Sequence, residues 1–232
     1  MELQEALRSS GAVRDFTDEA IPDETVWRLL DTARFAPSGG NRQGWRVVVV
    51  KDSAIRARLR DLYLPAWYEY LAISSAGLVP WAPVTDRKAE AEAARRAPEV
   101  AEAAGRGEGG FAENLDTVPV LLVLLADFRA LAAVDRDFDR YTLVGGASIY
   151  PFAWSLLLAA RDEGLGGVLT TMAVRAEPQV KELLGVGPEL AVAGVMALGR
   201  PARRATRLKR GAVESFATVN RADGPAFTAP GP

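Results

Sequence analysis

The sequence predicts an α+β fold in which a central mixed β-sheet is packed by helices within a single domain. Three observations carry that reading. Two nearly continuous aliphatic runs, WRVVVV at 45–50 and VPVLLVLLA at 118–126, have the composition of buried strands, the first buried on both faces. Segments with apolar residues at helical spacing lie around them, and strands separated by helices imply a sheet covered by helices. At 232 residues with 49% hydrophobic content, the chain suits one domain with a sizeable core, and no boundary or internal repeat interrupts it.

Taken in order, residues 3–10 form a first helix with Leu3, Ala6 and Leu7 on one face. Pro22 suits a first helical position, and Val26, Leu29, Leu30 and Ala33 follow at i, i+3, i+4 and i+7. Pro37 stops this helix, because its ring clashes with a continuing turn and biases Ala36 away from helical dihedrals. Ile55, Leu59 and Leu62 mark a short helix ending near Pro65. Residues 64–111 join an aromatic-rich part, with Trp67, Tyr68, Tyr70 and Trp81, to an alanine- and charge-rich part broken by Pro98. By composition alone this segment is a peripheral helical hairpin whose aromatics pack on the core.

Residues 127–140 are polar, a loop or short helical detour, and 141–160 carry no charge. Ile149, Phe152, Ala153, Leu156 and Ala160 line one helical face, while Trp154, Leu157 and Leu158 line others. A helix apolar all round must be buried on all sides. Its glycines, serines and Pro151 favour a core helix over a membrane span. Gly164 suits the left-handed position that ends a helix. Residues 178–184 then form a short helix and 190–198 a further strand. The tail from about 220 is rich in Gly and Pro and is expected to be extended.

Composition excludes much chemistry. With no cysteine and no histidine, the chain cannot build a zinc finger, an iron–sulfur cluster, a His-bound metal, a Cys nucleophile or a Ser-His-Asp triad. Carboxylate-only Mg²⁺ sites and acid–base pairs survive, as does any enzyme whose difficult step is carried by a bound organic cofactor. A net charge of -2 gives no global attraction to nucleic acid or membrane. Residues 1–8 are charged and lack the apolar core of a secretory signal. A soluble, cytoplasmic protein is the expectation, without a nucleic-acid or membrane partner.

The chemistry-bearing stretch is APSGGNRQGW at 36–45. Gly39 and Gly40 permit positive φ and close backbone approach to a ligand. Ser38, Asn41, Arg42 and Gln43 gather hydroxyl, amide and guanidinium groups, which suits a planar, polar, anionic molecule. An ordinary helix-to-strand turn has the same composition. Two further stretches stand out: GLGGVLTT at 164–171 and the basic run RRATRLKR at 203–210. The glycine stretch is no Walker loop, since no lysine follows it.

In this order, GAVRDF at 11–16, APSGGNRQGWRVVVV, GLGGVLTT and the basic run resemble the nitroreductase family, the FMN-dependent NAD(P)H oxidoreductases. The resemblance spans almost the whole chain except 64–111. It implies a nitroreductase-like, dimeric fold in which 64–111 is a mobile helical cover that sets substrate choice. It also implies FMN as cofactor, NAD(P)H as donor and a nitroaromatic, quinone or flavin as acceptor in a ping-pong cycle. A flavin-binding protein without reductase turnover is the alternative.

Family positions for holding FMN fall on Arg14, Ser38, Gly39, Asn41, Gln43, Gly166, Gly167, Thr170, Arg207 and Arg210. Arg14 would lie against the pyrimidine edge of the flavin, and the basic run would grip the phosphate. Only Arg210 maps cleanly in that run, with Arg207 or Lys209 as helper. Many relatives carry Arg-Arg-Ser where this chain has Ser10, Gly11 and Ala12, so an expected phosphate-binding arginine is missing. Arg8, Ser10 or the downstream arginines would then replace it. The resemblance calls for no side-chain catalyst and no metal, because the flavin carries the chemistry. It further implies a homodimer, with the apolar helix central and the tail embracing the partner.

Overall fold

The computed structural model describes residues 1–107, 110–203 and 208–229. Helix α1 (Leu3–Ser9) leads through an extended segment to α2 (Asp23–Ala33), which starts behind Pro22 and buries Val26, Leu29 and Ala33. A 3-10 turn at Gly39–Asn41 precedes strand β1 (Trp45–Val49). Helix α3 (Ser53–Ser75), capped by the Asp52 carboxylate, is followed by α4 (Arg87–Ala94) and α5 (Ala97–Gly105). Strand β2 (Val120–Asp127), a 3-10 turn at Val144–Ser148 and helix α6 (Tyr150–Asp162) come next. Strand β3 (Gly166–Thr170), helix α7 (Glu177–Leu184) and strand β4 (Leu190–Gly199) complete the regular elements.

The sheet order is β1-β2-β4-β3, and all of these pairings are antiparallel. The α+β class holds, but the sheet among the described residues is antiparallel where a mixed one was expected. The cause is topological. β2 and β3, joined by α6, run in the same direction, yet β4 inserts between them and pairs antiparallel with both.

That order also corrects the burial of the first strand. β2 is buried along its whole length, whereas β1 lies at an edge and leaves Val49 38% exposed. One face of the sheet packs on α2 and α6, where Trp45 stacks on Phe152 with ring centroids 5.0 Å apart. The other face packs on α3 and α7 around Tyr63, Leu59 and Val180.

Two segments differ from their sequence-based expectations. The short helix thought to end near Pro65 continues to Ser75. Pro65 sits on the exposed face, so the Asp61 carbonyl it leaves without a partner faces water, while Tyr63, Ala66, Ala72 and Ile73 stay buried. GLGGVLTT leads from the Gly164 turn into β3, where β4 offers the 166–170 backbone a ladder partner. Among the described residues the tail is not extended throughout: Thr218 bridges to Ala226, and Asn220 with φ +64° turns the chain back.

Within the 64–111 segment, the end of α3, α4 and α5 are helical, and irregular backbone joins Ser75 to Arg87. The aromatics here form a column from Tyr63 to Trp67, Tyr70 and Trp81, with successive ring centroids 6.3, 5.5 and 6.4 Å apart. The outer end is fixed by the buried Glu90 carboxylate, which accepts the Trp81 N–H, and by Arg175 over the Trp81 ring.

Candidate active site

The site is organised by α6 and β3, which are joined by a tight turn at Gly164 with φ +77°. Tyr150, Trp154, Leu157 and Arg161 recur at i, i+4, i+7 and i+11, so they form one stripe along α6. Opposite runs the extended segment 11–17, held to the sheet by the Val13 N–H donating to Gly167 O at 2.9 Å and the Thr17 N–H to Arg200 O at 2.9 Å. A cleft of about 500 Å³ opens between them, floored by 165–169. This is the size of a small-molecule site.

Arg14, Arg161, Arg203 and Arg210 line the cleft, and no Asp or Glu among the described residues lines it. Arg14 is exposed, with no ion pair among the described residues, and its charge also acts on Tyr63. Arg203 keeps a long 3.9 Å pair to Asp15. Gly166 and Gly167 line the cleft too, though their first task is packing. A Cβ on Gly166 would sit 2.7 Å from Val13 Cγ2, and one on Gly167 would meet Leu198 Cδ2 at 2.4 Å.

Thr170 is placed differently. Its hydroxyl is buried against the Tyr63 hydroxyl at 2.8 Å, so it ties β3 to α3 instead of opening into the cleft. Burial pushes the Tyr63 phenol above its ordinary value, which keeps this pair neutral. Arg207 lies outside the described residues.

Ser38, Gly39, Asn41 and Gln43 are close together but do not line this cleft. The Gly39 N–H donates to Ser148 Oγ at 3.0 Å and the Gln43 N–H to Ser38 Oγ at 3.0 Å, which anchors the loop at the start of α6. Gly40, Asn41 and Gln43 have φ of +59°, +53° and +51°. Left-handed backbone costs a non-glycine residue about 1–2 kcal/mol, so the loop is held in a preset, outward-facing form. Its approach is stiffened by the buried Asp135 carboxylate, which accepts the Leu143 N–H at 2.9 Å and Arg140 Nη1 at 2.8 Å. The Leu143 donor holds Asp135 below the usual carboxylate range.

Sequence reasoning missed Arg161 and the aromatic stripe on α6. An apolar helix that needs burial on all sides explains Trp154 and Leu157 without a ligand; in the single chain Tyr150 and Trp154 are 45% and 40% exposed.

The family model of the nitroreductase family matches residues 8–200. The chain belongs to that family. This nitroreductase-family chain is similar to iodotyrosine deiodinase 1 of Mus musculus, 28% identical over 217 residues that cover 93% of the chain and 68% of the mouse protein. It spans 63% to 68% of the length of iodotyrosine deiodinase 1 from Mus musculus, Homo sapiens, Rattus norvegicus and Pongo abelii.

Among solved structures it resembles NADPH:FMN oxidoreductase from Vibrio harveyi complexed with NAD⁺, with a TM-score of 0.62 and 23% identity over 94% of this chain and 76% of that one. It also resembles oxidised iodotyrosine deiodinase bound to FMN and 3-iodo-L-tyrosine, with a TM-score of 0.63 and 21% identity over 95% and 100% of the two chains. At those identities the two structures speak for the shared fold. No described helix is long and apolar enough to cross a membrane.

Proposed function

We propose that the chain is a flavin-dependent oxidoreductase that takes electrons from NAD(P)H and passes them through bound FMN to a small-molecule acceptor. The acceptor classes that fit are nitroaromatics, quinones and free flavin, used in a ping-pong cycle. The observation that carries this reading is the cleft itself: among the described residues it has four guanidinium groups, no carboxylate, and a glycine-containing strand as its floor. Such a site suits a flat, anionic organic ligand, and family membership makes a flavin nucleotide its natural occupant. FMN, when bound, supplies two-electron redox chemistry for which the chain has neither His nor Cys.

The chain's residues then have separate tasks. Arg14 stabilises negative charge at the edge of the ring, which raises the reduction potential. Gly166 and Gly167 let the backbone approach the ring, and Thr170 holds the end of that strand. Arg210, with Arg207 as helper, neutralises the phosphate. Tyr150, Trp154 and Leu157 supply an apolar wall. Ser38, Gly39, Asn41 and Gln43 reach the flavin from a second copy of the chain, so the working unit is a homodimer. No side-chain acid is required for electron entry; donor and acceptor need only be held in turn against the same open face.

The experiment is an anaerobic titration of the flavin-loaded protein with NADH and NADPH. The expected result is stoichiometric bleaching of the visible flavin absorption by at least one of them, and its return on adding a quinone. Flavin that stays oxidised with both would favour binding without reductase turnover.

A further inference from the structure

We infer that Arg161, with Ser10 beside it, forms the anion-recognising end of the cleft and takes a phosphomonoester, the phosphate of the flavin nucleotide. The inference rests on the flavin reading above and assigns residues that the sequence motifs leave open.

Arg161 leaves the last turn of α6, and its Nη2 donates to Ser9 Oγ at 3.0 Å. Ser9 Oγ in turn donates to the Glu5 carbonyl at 2.8 Å, so the guanidinium is fixed between α6 and α1. Its Nε is sealed from solvent with no hydrogen-bond partner among the described residues, and Ser10 Oγ is in the same condition. Both residues line the cleft. Buried donors are almost always paired, so two orphans at one end of one cleft call for a shared acceptor.

No carboxylate among the described residues pairs with Arg161. The two acids that follow it are engaged elsewhere: Asp162 with the Met1 amino group at 2.7 Å and Glu163 with Arg28 at 2.7 Å. A phosphate dianion meets all these conditions. It offers several acceptor oxygens, matches the planar guanidinium fork, and can be shared with Arg203 and Arg210 on the same cleft.

The test is equilibrium titration of the flavin-free full chain with FMN and with riboflavin, followed by flavin fluorescence. The wild type is expected to prefer FMN, and inorganic phosphate to compete with FMN without displacing riboflavin. Arg161→Ala should weaken FMN by about tenfold to a hundredfold, the loss of one charge-assisted pair, and change riboflavin by less than about twofold. Arg161→Lys should lose less than Arg161→Ala, since it keeps the charge and drops only the fork, and Ser10→Ala should weaken FMN selectively.

A variant that weakens both flavins equally would show a packing role and overturn the inference, as would one that weakens neither. A wild type that binds FMN and riboflavin alike would overturn it while leaving the flavin reading intact. A wild type that binds neither would overturn both.

Discussion

At the scale of single residues, left-handed backbone gathers beside the start of α6, and the unpaired Arg161 Nε lies at its other end. The left-handed Asn41 and Gln43 persist because both ends of their loop are tied. One tie is the Ser38–Gln43 bond; the other runs through Asp127, whose N–H donates to Gly44 O at 2.7 Å. The Asp127 side chain is itself buried and accepts Arg129 Nε and Nη2 at 2.9 Å each and Arg46 Nη2 at 3.3 Å.

The Arg129 guanidinium, aided by its backbone N–H and by Arg46, lowers the Asp127 carboxyl from 3.8 to about 2. Because the folded value is depressed, this contribution to stability is present above about 3.8 and is lost as pH falls through about 2. Asp127→Asn should therefore flatten the acid limb of the stability profile, with its urea midpoint falling less than the wild type's over that window. Parallel profiles would show that Asp127 is not the titrating anchor.

At the scale of elements, most boundaries were legible because apolar periodicity survives in α2, β2 and β4. What was not legible depended on neighbours. Pro65 signals a helix end by local chemistry, yet α3 runs through it because burial on both sides outweighs one lost hydrogen bond. Replacing Pro65 by Ala should restore that bond and raise stability by about 1 kcal/mol or more, since a mid-helix proline costs about 3 kcal/mol relative to alanine. Thermal unfolding checks this, and an unchanged or lower midpoint would mean that the proline is structurally required.

Arg161 was invisible for a similar reason. Its meaning comes from Ser9, 152 positions away in sequence, and no pattern within α6 announces that contact. The glycines of β3 were recognised as special, but their immediate cause is the approach of Val13 and Leu198.

At the scale of the whole molecule, the α+β class and the family followed from the order of motifs, whereas the strand pairing did not. Alternating strands and helices suggest neighbouring parallel strands, and only the insertion of β4 between β2 and β3 makes each contact antiparallel. The candidate site divides in the same manner. Arg14, Gly166, Gly167 and Arg210 meet in one cleft, while Ser38, Gly39, Asn41 and Gln43 stand apart from it at the start of α6.

In the function proposed above, a second chain joins these halves. Tyr150 and Trp154 are half-exposed on the helix that carries both halves, an apolar stripe suited to burial between two copies. The proposed function thus depends on a flavin site built by two chains. The most direct measurement is light scattering on the purified, FMN-saturated protein with visible absorbance recorded across the same peak. The expected result is a mass of about 50 kDa, twice the 24.9 kDa of one chain, carrying one FMN per chain. A species of one chain that holds FMN just as firmly, or a dimer that carries no flavin, would contradict it.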